Sequence, residues 1–278
     1  MQNKNILIGS FLQSLRLLYR RKSWFMLIFF LQILFFASFF YVSYFYQSRI
    51  LESSIAISEY LNKLNLDDVS VAQNILEQKN VLGDDPLFIS RSFNDVLRNF
   101  RHYMLAAFGL FVFGGSALWS ASGAMAHKID LKGMRKVFLR NLAVLGFYLG
   151  LIFLFFYMIF NVSLYDIALP SSYSMLKYLA FLIFAAVLLY FMFISLAISP
   201  KHDLGSLATK TITLGLRSFY NIFIVYLANI LLFLAALWLL AYFLEVNLFM
   251  VIAALLLAVF SFVFGRLLIL NVVEGIEN

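Results

Sequence analysis

The chain contains six long apolar stretches, and no acidic residue lies within any of them. They lie at about 24–46, 103–126, 141–163, 177–199, 219–244 and 247–270. A helix needs about 20 apolar residues to cross the roughly 30 Å of a bilayer's hydrocarbon core. The runs are continuous and do not alternate, which favours helices over the strands of a barrel. The sequence therefore predicts an all-α polytopic membrane helix bundle of about six transmembrane helices, with 1–278 as a single membrane domain.

Composition agrees with a lipid solvent. Apolar residues make up 63% of the chain and charged residues 13%, whereas soluble domains have about 45–50% and about 25%. So little polar surface could not cover the apolar interior of a soluble domain. The absence of Cys excludes disulfides, thiol catalysis and thiolate metal sites.

Basic residues predict the orientation of the helices. They precede the first, third and fifth stretches: Lys4, Arg16, Arg20, Arg21 and Lys22, then Lys128, Lys132, Arg135, Lys136 and Arg140, then Lys201, Lys210 and Arg217. The short opposite loops carry Asp166 and Glu245 instead. Because Lys and Arg concentrate on the cytoplasmic side, we expect a cell-membrane protein with both termini in the cytoplasm. The same placement argues against nucleic acid as a partner.

One long segment, 47–99, lies on the predicted outer side between the first two helices. Apolar residues recur at helical spacing from Ile50 to Leu64. Asp68 could cap a second short helix, and Asp85-Pro86 reads as the start of a third that runs into the second transmembrane helix. We therefore predict a small helical extracytoplasmic insertion.

Two further segments have amphipathic character. Residues 4–22 form a predicted interfacial helix with one apolar face: Ile8, Phe11, Leu12, Leu15 and Tyr19. The segment 204–216 is expected to behave likewise, with Pro200 ending the preceding helix and Asp203 as the N-cap.

A short sequence pattern that occurs three times is compatible with three hairpin repeats. It reads small, aliphatic, Arg, any, apolar, aromatic, and it recurs at 14–19, 133–138 and 215–220. Each copy precedes two transmembrane stretches, so a triplicated hairpin is one interpretation. The alternative is that any inner boundary favours Arg and aromatic residues.

The helix centres lack the groups that most membrane chemistry requires. Ion-coupled transporters and proton pumps need ionisable residues at mid-membrane, but the centres offer mainly Gln32, Asn229, Ser and Tyr. His127 and His202, with their Asp neighbours, could bind a metal in principle, but adjacent lysines oppose a cation. We therefore predict no catalytic residue, cofactor site or metal site, and a protein that is not an enzyme.

Small and polar residues mark possible helix contacts. The second helix carries Ser116, Ser120 and Gly123, and the third carries Gly146 and Gly150 at GxxxG spacing. Such residues allow close backbone approach and hydrogen bonds between helices. Three interpretations stay open: packing within the chain, a seam with other membrane subunits or a second copy, and a substrate path. The amides of Gln32 and Asn229 are expected to face the bundle and find partners.

Basic residues near the predicted cytoplasmic face are candidate contacts for anionic lipid headgroups. They are Arg16, Arg20, Arg21, Lys22, Arg135, Arg217 and Arg266. Arg266 lies near the inner end of the last helix, where a long side chain can extend to the interface. The bilayer itself is thus the first predicted partner.

An amphipathic inner helix, the basic run Tyr19-Arg20-Arg21-Lys22 and a first helix followed by an outer segment resemble the permease subunit of an ABC exporter. In that family the loop after the second helix meets the ATPase and often carries acidic residues. Here the corresponding segment, 125–140, is basic, so the resemblance is confined to the arrangement of segments.

Three functions are compatible with these features. The first is a scaffold or subunit of a membrane assembly that acts through helix packing. The second is a permease-like component for a lipid-like or uncharged solute. The third is a lipid enzyme at the membrane interface that uses His127 and His202. Solvent access around Ser116, Ser120 and Gln32 separates transport from scaffolding.

Overall fold

The predicted all-α bundle is confirmed. The computed structural model describes residues 2–63, 87–159, 172–244 and 247–277, and this part of the chain is helical without a strand. Its helices are α1 (Gln2–Arg20), α2 (Lys22–Lys63), α3 (Phe88–His127), α4 (Leu131–Ile159), α5 (Ser172–Ile198), α6 (Leu204–Arg217), α7 (Phe219–Phe243) and α8 (Leu248–Glu277).

Six of these helices are long and apolar enough to cross a membrane: α2, α3, α4, α5, α7 and α8. They match the six predicted stretches one for one. The protein is therefore a multi-pass membrane protein, and α1 and α6 are the two described helices outside this set.

Helices α2 and α3 are much longer than the predicted spans. With 42 and 40 residues, each reaches about 60 Å at 1.5 Å per residue, twice the hydrocarbon thickness. Neither 24–63 nor 88–127 contains a Pro, and 24–63 contains no Gly, so no residue stops the helix where the apolar run ends. The expected helix starts at Asp68 and at Asp85-Pro86 lie outside the described residues.

One compact unit, Phe36–Leu110, consists of these long helices. The rings of Tyr60 and Phe88 stack at 4.7 Å. Further along the pair, the rings of Tyr46 and Tyr103 lie 6.2 Å apart, and the Tyr103 hydroxyl is 3.2 Å from Ser43 Oγ. These contacts show that α2 and α3 run antiparallel through this unit.

The second compact unit comprises Met1–Phe35 and Phe111–Asn278. Within it, every residue of α8 from Val263 to Val273 is buried, so this half of the helix is covered on all sides. Its neighbours include α7, α5 and α1. The stretch of α3 from Leu118 to Met125 is buried in the same way. The core of this unit therefore surrounds the C-terminal halves of α3 and α8.

Several helix ends meet at one place, which we call the basic end. Arg21 Nη1, before α2, donates to the carbonyl of Met125 near the end of α3 at 2.9 Å. Lys201 Nζ, after α5, lies 2.8 Å from Glu274 Oε1 at the end of α8. His127 at the end of α3 lies 3.7 Å from Glu274 as well, so these ends form one group. Because α2 begins here whereas α3, α5 and α8 end here, α2 runs opposite in direction to the other three.

Helix α1 packs on α8 through small polar residues. Ser10 and Ser14 are buried and the Phe11 ring lies 5.3 Å from that of Phe264, whereas Ile8 and Leu12 of the predicted apolar face are exposed. An exposed apolar face on a helix beside a membrane bundle is suited to contact with lipid.

Helix α6 starts at the predicted position. Asp203 is its N-cap residue, but its side chain makes no capping hydrogen bond. The carboxylate lies 3.4 Å from Arg140 Nη1 instead, so Asp203 connects α6 to α4.

The three copies of the short pattern have different settings. The first ends α1 before the turn at Arg21, the third spans the break between α6 and α7 at Ser218, and the second lies inside α4. The triplicated hairpin stays a prediction.

We expect two matched glycine substitutions to have different effects on thermal stability. A Cβ at Gly114 meets the Phe35 ring at 2.5 Å, whereas a Cβ at Gly146 meets nothing within 4 Å. Gly114→Leu should lower the thermal midpoint in detergent by several degrees, because α2 and α3 must move apart. Gly146→Leu should leave the midpoint unchanged or raise it, because Leu favours a helix by roughly 0.5–1 kcal/mol over Gly.

Size-exclusion chromatography of the same two variants supplies the control. If Gly146→Leu splits an oligomer, the GxxxG pair is a seam between chains. If both variants are equally stable, the close approach at Gly114 is not a constraint.

Candidate functional site

Arg266 lies inside the bundle although it belongs to an apolar span. Its relative exposure is 9%. Nη1 donates to Gln32 Oε1 at 2.6 Å, and Nε donates to Ser122 Oγ at 3.3 Å. These bonds join Arg266 to α3 and α2, and the headgroup contact of Arg266 stays a prediction. We call Arg266, Gln32 and Ser122 the arginine cluster.

In the arginine cluster, the Arg266 cation donates hydrogen bonds to neutral side chains. No carboxylate of the described residues lies within ion-pair distance of Arg266, and its Nη2 has no hydrogen-bond partner among them. Ser122 donates its own proton to the Leu118 carbonyl at 2.8 Å, so its oxygen lone pairs are free to accept from Arg266. Burial of a charge is costly unless hydrogen bonds compensate for lost hydration. The cluster therefore depends strongly on the Gln32 amide.

A second buried group joins α3, α4 and α5. Asn141 Nδ2 donates to Ser120 Oγ at 2.9 Å, and Ser199 Oγ donates to Asn141 Oδ1 at 2.5 Å. Ser120 donates in turn to the Ser116 carbonyl at 2.6 Å. We call Asn141, Ser120 and Ser199 the asparagine cluster. Sequence reasoning missed Asn141 because it follows Arg140 at the start of a span and resembles a boundary residue.

Similar hydrogen bonds attach α1 and α6, the two described helices outside the six candidate membrane spans. Asn271 Nδ2 donates to Ser14 Oγ at 2.7 Å, and Ser10 Oγ donates to the Asn271 carbonyl at 3.3 Å, which fixes α1 on α8. Ser195 Oγ lies 2.9 Å from Thr211 Oγ1, which connects α5 to α6. The Ser and Thr residues at the basic end thus act between helices.

The remaining predicted packing residues differ in their surroundings. Asn229 Nδ2 donates to the Gly265 carbonyl at 3.4 Å, where α7 approaches α8. A Cβ at Gly123 meets Pro200 Cγ at 3.0 Å, but a Cβ at Gly150, as at Gly146, meets nothing within 4 Å. Close packing within the chain therefore involves Gly123 and Asn229 rather than the GxxxG pair.

Charged residues surround the end of α8. Glu274 Oε2 lies 3.7 Å from His127 Nδ1, and Glu277 contacts both His202 and Lys210. Glu274 and Glu277 thus tie the end of α3 and the segment between α5 and α6 to α8. No group of three or more metal-ligating side chains occurs in the part of the chain that the structure describes, and each of these histidines faces a carboxylate.

A basic cleft opens at the turn between α1 and α2. Its volume is about 630 Å³, and it is lined by Tyr19, Arg20, Arg21, Lys22, Ser23, Trp24, Lys128 and Ile129. The ammonium of Lys22 lies 4.6 Å from the centre of the Tyr19 ring. Three other predicted headgroup contacts, Arg16, Arg135 and Arg217, are exposed outside this cleft. The cleft gathers the predicted Arg20, Arg21 and Lys22, and it adds Lys128.

Lys128 has a left-handed backbone, with φ of 56°. The Ile129 amide donates to the Ala124 carbonyl at 3.3 Å, which is the bond that closes a helix with a left-handed residue after its end. Gly is usual at such a position because a Cβ there costs roughly 1–2 kcal/mol. Arg21 Nη1 also contacts the Ala124 and Met125 carbonyls, which stabilises this helix end.

Comparison of the chain with known protein families, with curated proteins and with solved structures found no match. The geometry alone therefore supports two capabilities. The buried clusters join helices through hydrogen bonds, and the basic cleft presents several cations at a surface.

We expect Gln32→Leu to be more damaging than Arg266→Met. Loss of the amide leaves a buried cation with a further unpaired donor, which costs on the order of 2 kcal/mol. Removal of the cation, by contrast, replaces a buried charge with an apolar side chain of similar length. The double variant should recover at least half of the stability that Gln32→Leu loses. The free energy of unfolding of all three variants is measured in mixed micelles that contain an increasing fraction of denaturing detergent.

Gln13→Leu, on the exposed side of α1, is the control for the change in apolarity and should shift stability by less than about 0.5 kcal/mol. Additive effects of Gln32→Leu and Arg266→Met would show that the two side chains are not coupled.

We expect Lys128→Gly to stabilise the protein by about 1 kcal/mol, because Gly adopts the left-handed conformation without strain. The matched control is Lys136→Gly, at an exposed position inside α4, which should destabilise by a similar amount. Thermal midpoints in one detergent compare the two. A loss of stability in both variants would contradict the conformation of Lys128.

Proposed function

We propose that this protein is a non-catalytic membrane scaffold, or a structural subunit of a membrane assembly, that acts through fixed helix packing. The observation that carries the proposal is the burial of the residues expected to line a path. Ser116, Ser120 and Gln32 have relative exposures of 0%, 1% and 2%.

The hydrogen bonds of these residues support a closed interior. Ser116 Oγ donates to the Val112 carbonyl at 2.5 Å, Ser120 accepts from Asn141, and Gln32 accepts from Arg266. A permease for an uncharged solute needs polar groups that face a cavity and exchange partners with the solute. Here Ser120 and Gln32 are bonded to side chains of other helices and Ser116 to a carbonyl of its own helix. Neither the basic cleft nor a second cleft near Arg98 includes these three residues.

The orientation that we propose is a cell-membrane protein with the basic end in the cytoplasm. The basic cleft contributes four cations to that end, and Arg16, Arg135 and Arg217 add exposed charge. Positive charge of this kind is retained on the cytoplasmic side. Helix α8 ends here at Glu277, and α1, which is not among the candidate membrane spans, joins this end at Arg20, so both termini are cytoplasmic in this proposal.

The second candidate function is a permease-like component for a lipid-like or uncharged solute. The unpartnered Nη2 of Arg266 favours it, because a solute oxygen could accept from this donor.

Cysteine accessibility tests the proposal directly, since the natural chain has no Cys. Ser120→Cys and Ser116→Cys keep the side-chain size, and a thiol reacts only where water allows it to ionise. In membrane vesicles we expect less than about a tenth of the labelling of Lys128→Cys, which lies in the basic cleft. Sided reagents applied to Lys128→Cys also report which face holds the basic end.

Labelling of Ser120→Cys as fast as that of Lys128→Cys would indicate a water-filled path and favour the permease. Sizing in mild detergent tests the scaffold separately. We expect a protein mass above that of the 32.0 kDa chain. A lone monomer that an added solute stabilises would contradict the scaffold.

A further inference from the structure

We propose that the basic cleft binds a phosphate-bearing anion with two or more negative charges, of the kind that the headgroup of an acidic phospholipid carries. The cleft lies at the turn between α1 and α2 and is lined by residues from 19–24 and by Lys128 and Ile129. This binding site does not depend on whether the bundle interior is a scaffold or a path.

The basic cleft holds positive charge that no carboxylate of the described residues compensates. No ion pair joins Arg20, Lys22 or Lys128 to a carboxylate of the described residues. The nearest acid along the chain, Asp130, accepts a hydrogen bond from the Gly133 amide at 2.8 Å and caps α4. At the end of α8, by contrast, Glu274 pairs with Lys201 and Glu277 with Lys210. The cleft is therefore a place where positive charge has been left for a ligand to neutralise.

The lining residues have separable roles. Arg21 Nη1 is already engaged by the Ala124 and Met125 carbonyls, so Arg21 positions the end of α3 beside the turn. Arg20, Lys22 and Lys128 are exposed and keep donors for phosphate oxygens. The Ser23 hydroxyl adds a neutral donor to the lining.

The cleft lies at the level where the apolar run of α2 begins. The apolar run of α2 begins at Trp24, and both Trp24 and Tyr19 line the cleft. Trp and Tyr concentrate at the level of lipid headgroups because their rings are apolar with a polar tip. A cleft between these two rings therefore faces phosphates rather than acyl chains. Its volume of about 630 Å³ leaves room for a phosphate together with its ester substituent.

The backbone of Lys128 also points to a ligand in the cleft. A Gly would relax the left-handed position at φ of 56°, yet the chain has a Lys whose side chain lines the cleft. Backbone strain of this kind persists where the surroundings fix it, and it is concentrated at functional sites. The same position supplies a variant that removes the cation without harming the fold.

The experiment uses delipidated full-length protein in a neutral detergent. Dioctanoyl phosphatidic acid, dioctanoyl phosphatidylcholine and inorganic phosphate are titrated separately, and binding is followed by microscale thermophoresis. For Lys128→Gly we expect phosphatidic acid to bind about tenfold more weakly, the effect of one lost charge-assisted hydrogen bond. The thermal midpoint of this variant should not fall. Lys128→Gln should show the same loss of affinity.

Lys136→Gln is the matched control, because Lys136 is an exposed lysine of α4 outside the cleft. Its affinity for phosphatidic acid should stay within about twofold of the natural protein, since surface charge elsewhere acts weakly. Phosphatidylcholine, which is neutral overall, should bind the natural protein at least about tenfold more weakly than phosphatidic acid.

The three titrations also distinguish a lipid phosphate from a soluble phosphate as the ligand. If inorganic phosphate binds as tightly as the lipid and with the same dependence on Lys128, the site is supported and its ligand is a soluble phosphate. Equal weakening by Lys128→Gln and Lys136→Gln would overturn the site, because only diffuse charge would then be involved. Unchanged affinity in both Lys128 variants would overturn it as well. Neither result bears on labelling at Ser120.

Discussion

The buried guanidinium of Arg266 is the constraint on which the arrangement of the other helices depends. A charge inside an apolar bundle is tolerated only where hydrogen bonds replace water. Gln32 and Ser122 supply those bonds from α2 and α3. The three helices must therefore meet at this level, and the C-terminal half of α8 becomes the covered centre of the larger unit.

Around this centre the helices are joined by short polar side chains. In lipid, apolar contact alone hardly distinguishes one helix pairing from another, so small residues and hydrogen bonds between helices determine the packing. Asn141 joins three helices through Ser120 and Ser199, and Asn271 holds α1. Each bond contributes about 0.6 kcal/mol on average. Specificity therefore comes from their number and their burial at the basic end.

The sequence was sufficient for the number and type of the spans, because a lipid solvent requires long uninterrupted apolar helices. It was not sufficient for the outer end of α2, since no breaker marks the membrane surface near Tyr46. For α3 the sequence did predict that a helix runs into the span from the outer segment, and α3 is continuous from Phe88 to His127. The sequence also could not predict which helices contact one another. Arg266 precedes Glu274 by about two helical turns and so resembles an interfacial arginine until Gln32 is placed beside it. The contact of Arg21 with the end of α3 likewise joins segments far apart in sequence.

The central claim is that the basic end is one fixed, closed arrangement of helices. Pulsed electron–electron double resonance in lipid nanodiscs tests it. The spin labels are attached at Met26→Cys on α2 and Leu139→Cys on α4, both exposed positions. A single narrow distance distribution is predicted, because the arginine and asparagine clusters hold α2, α3 and α4 in one register. Two resolved distance populations, as alternating access requires, would contradict the account.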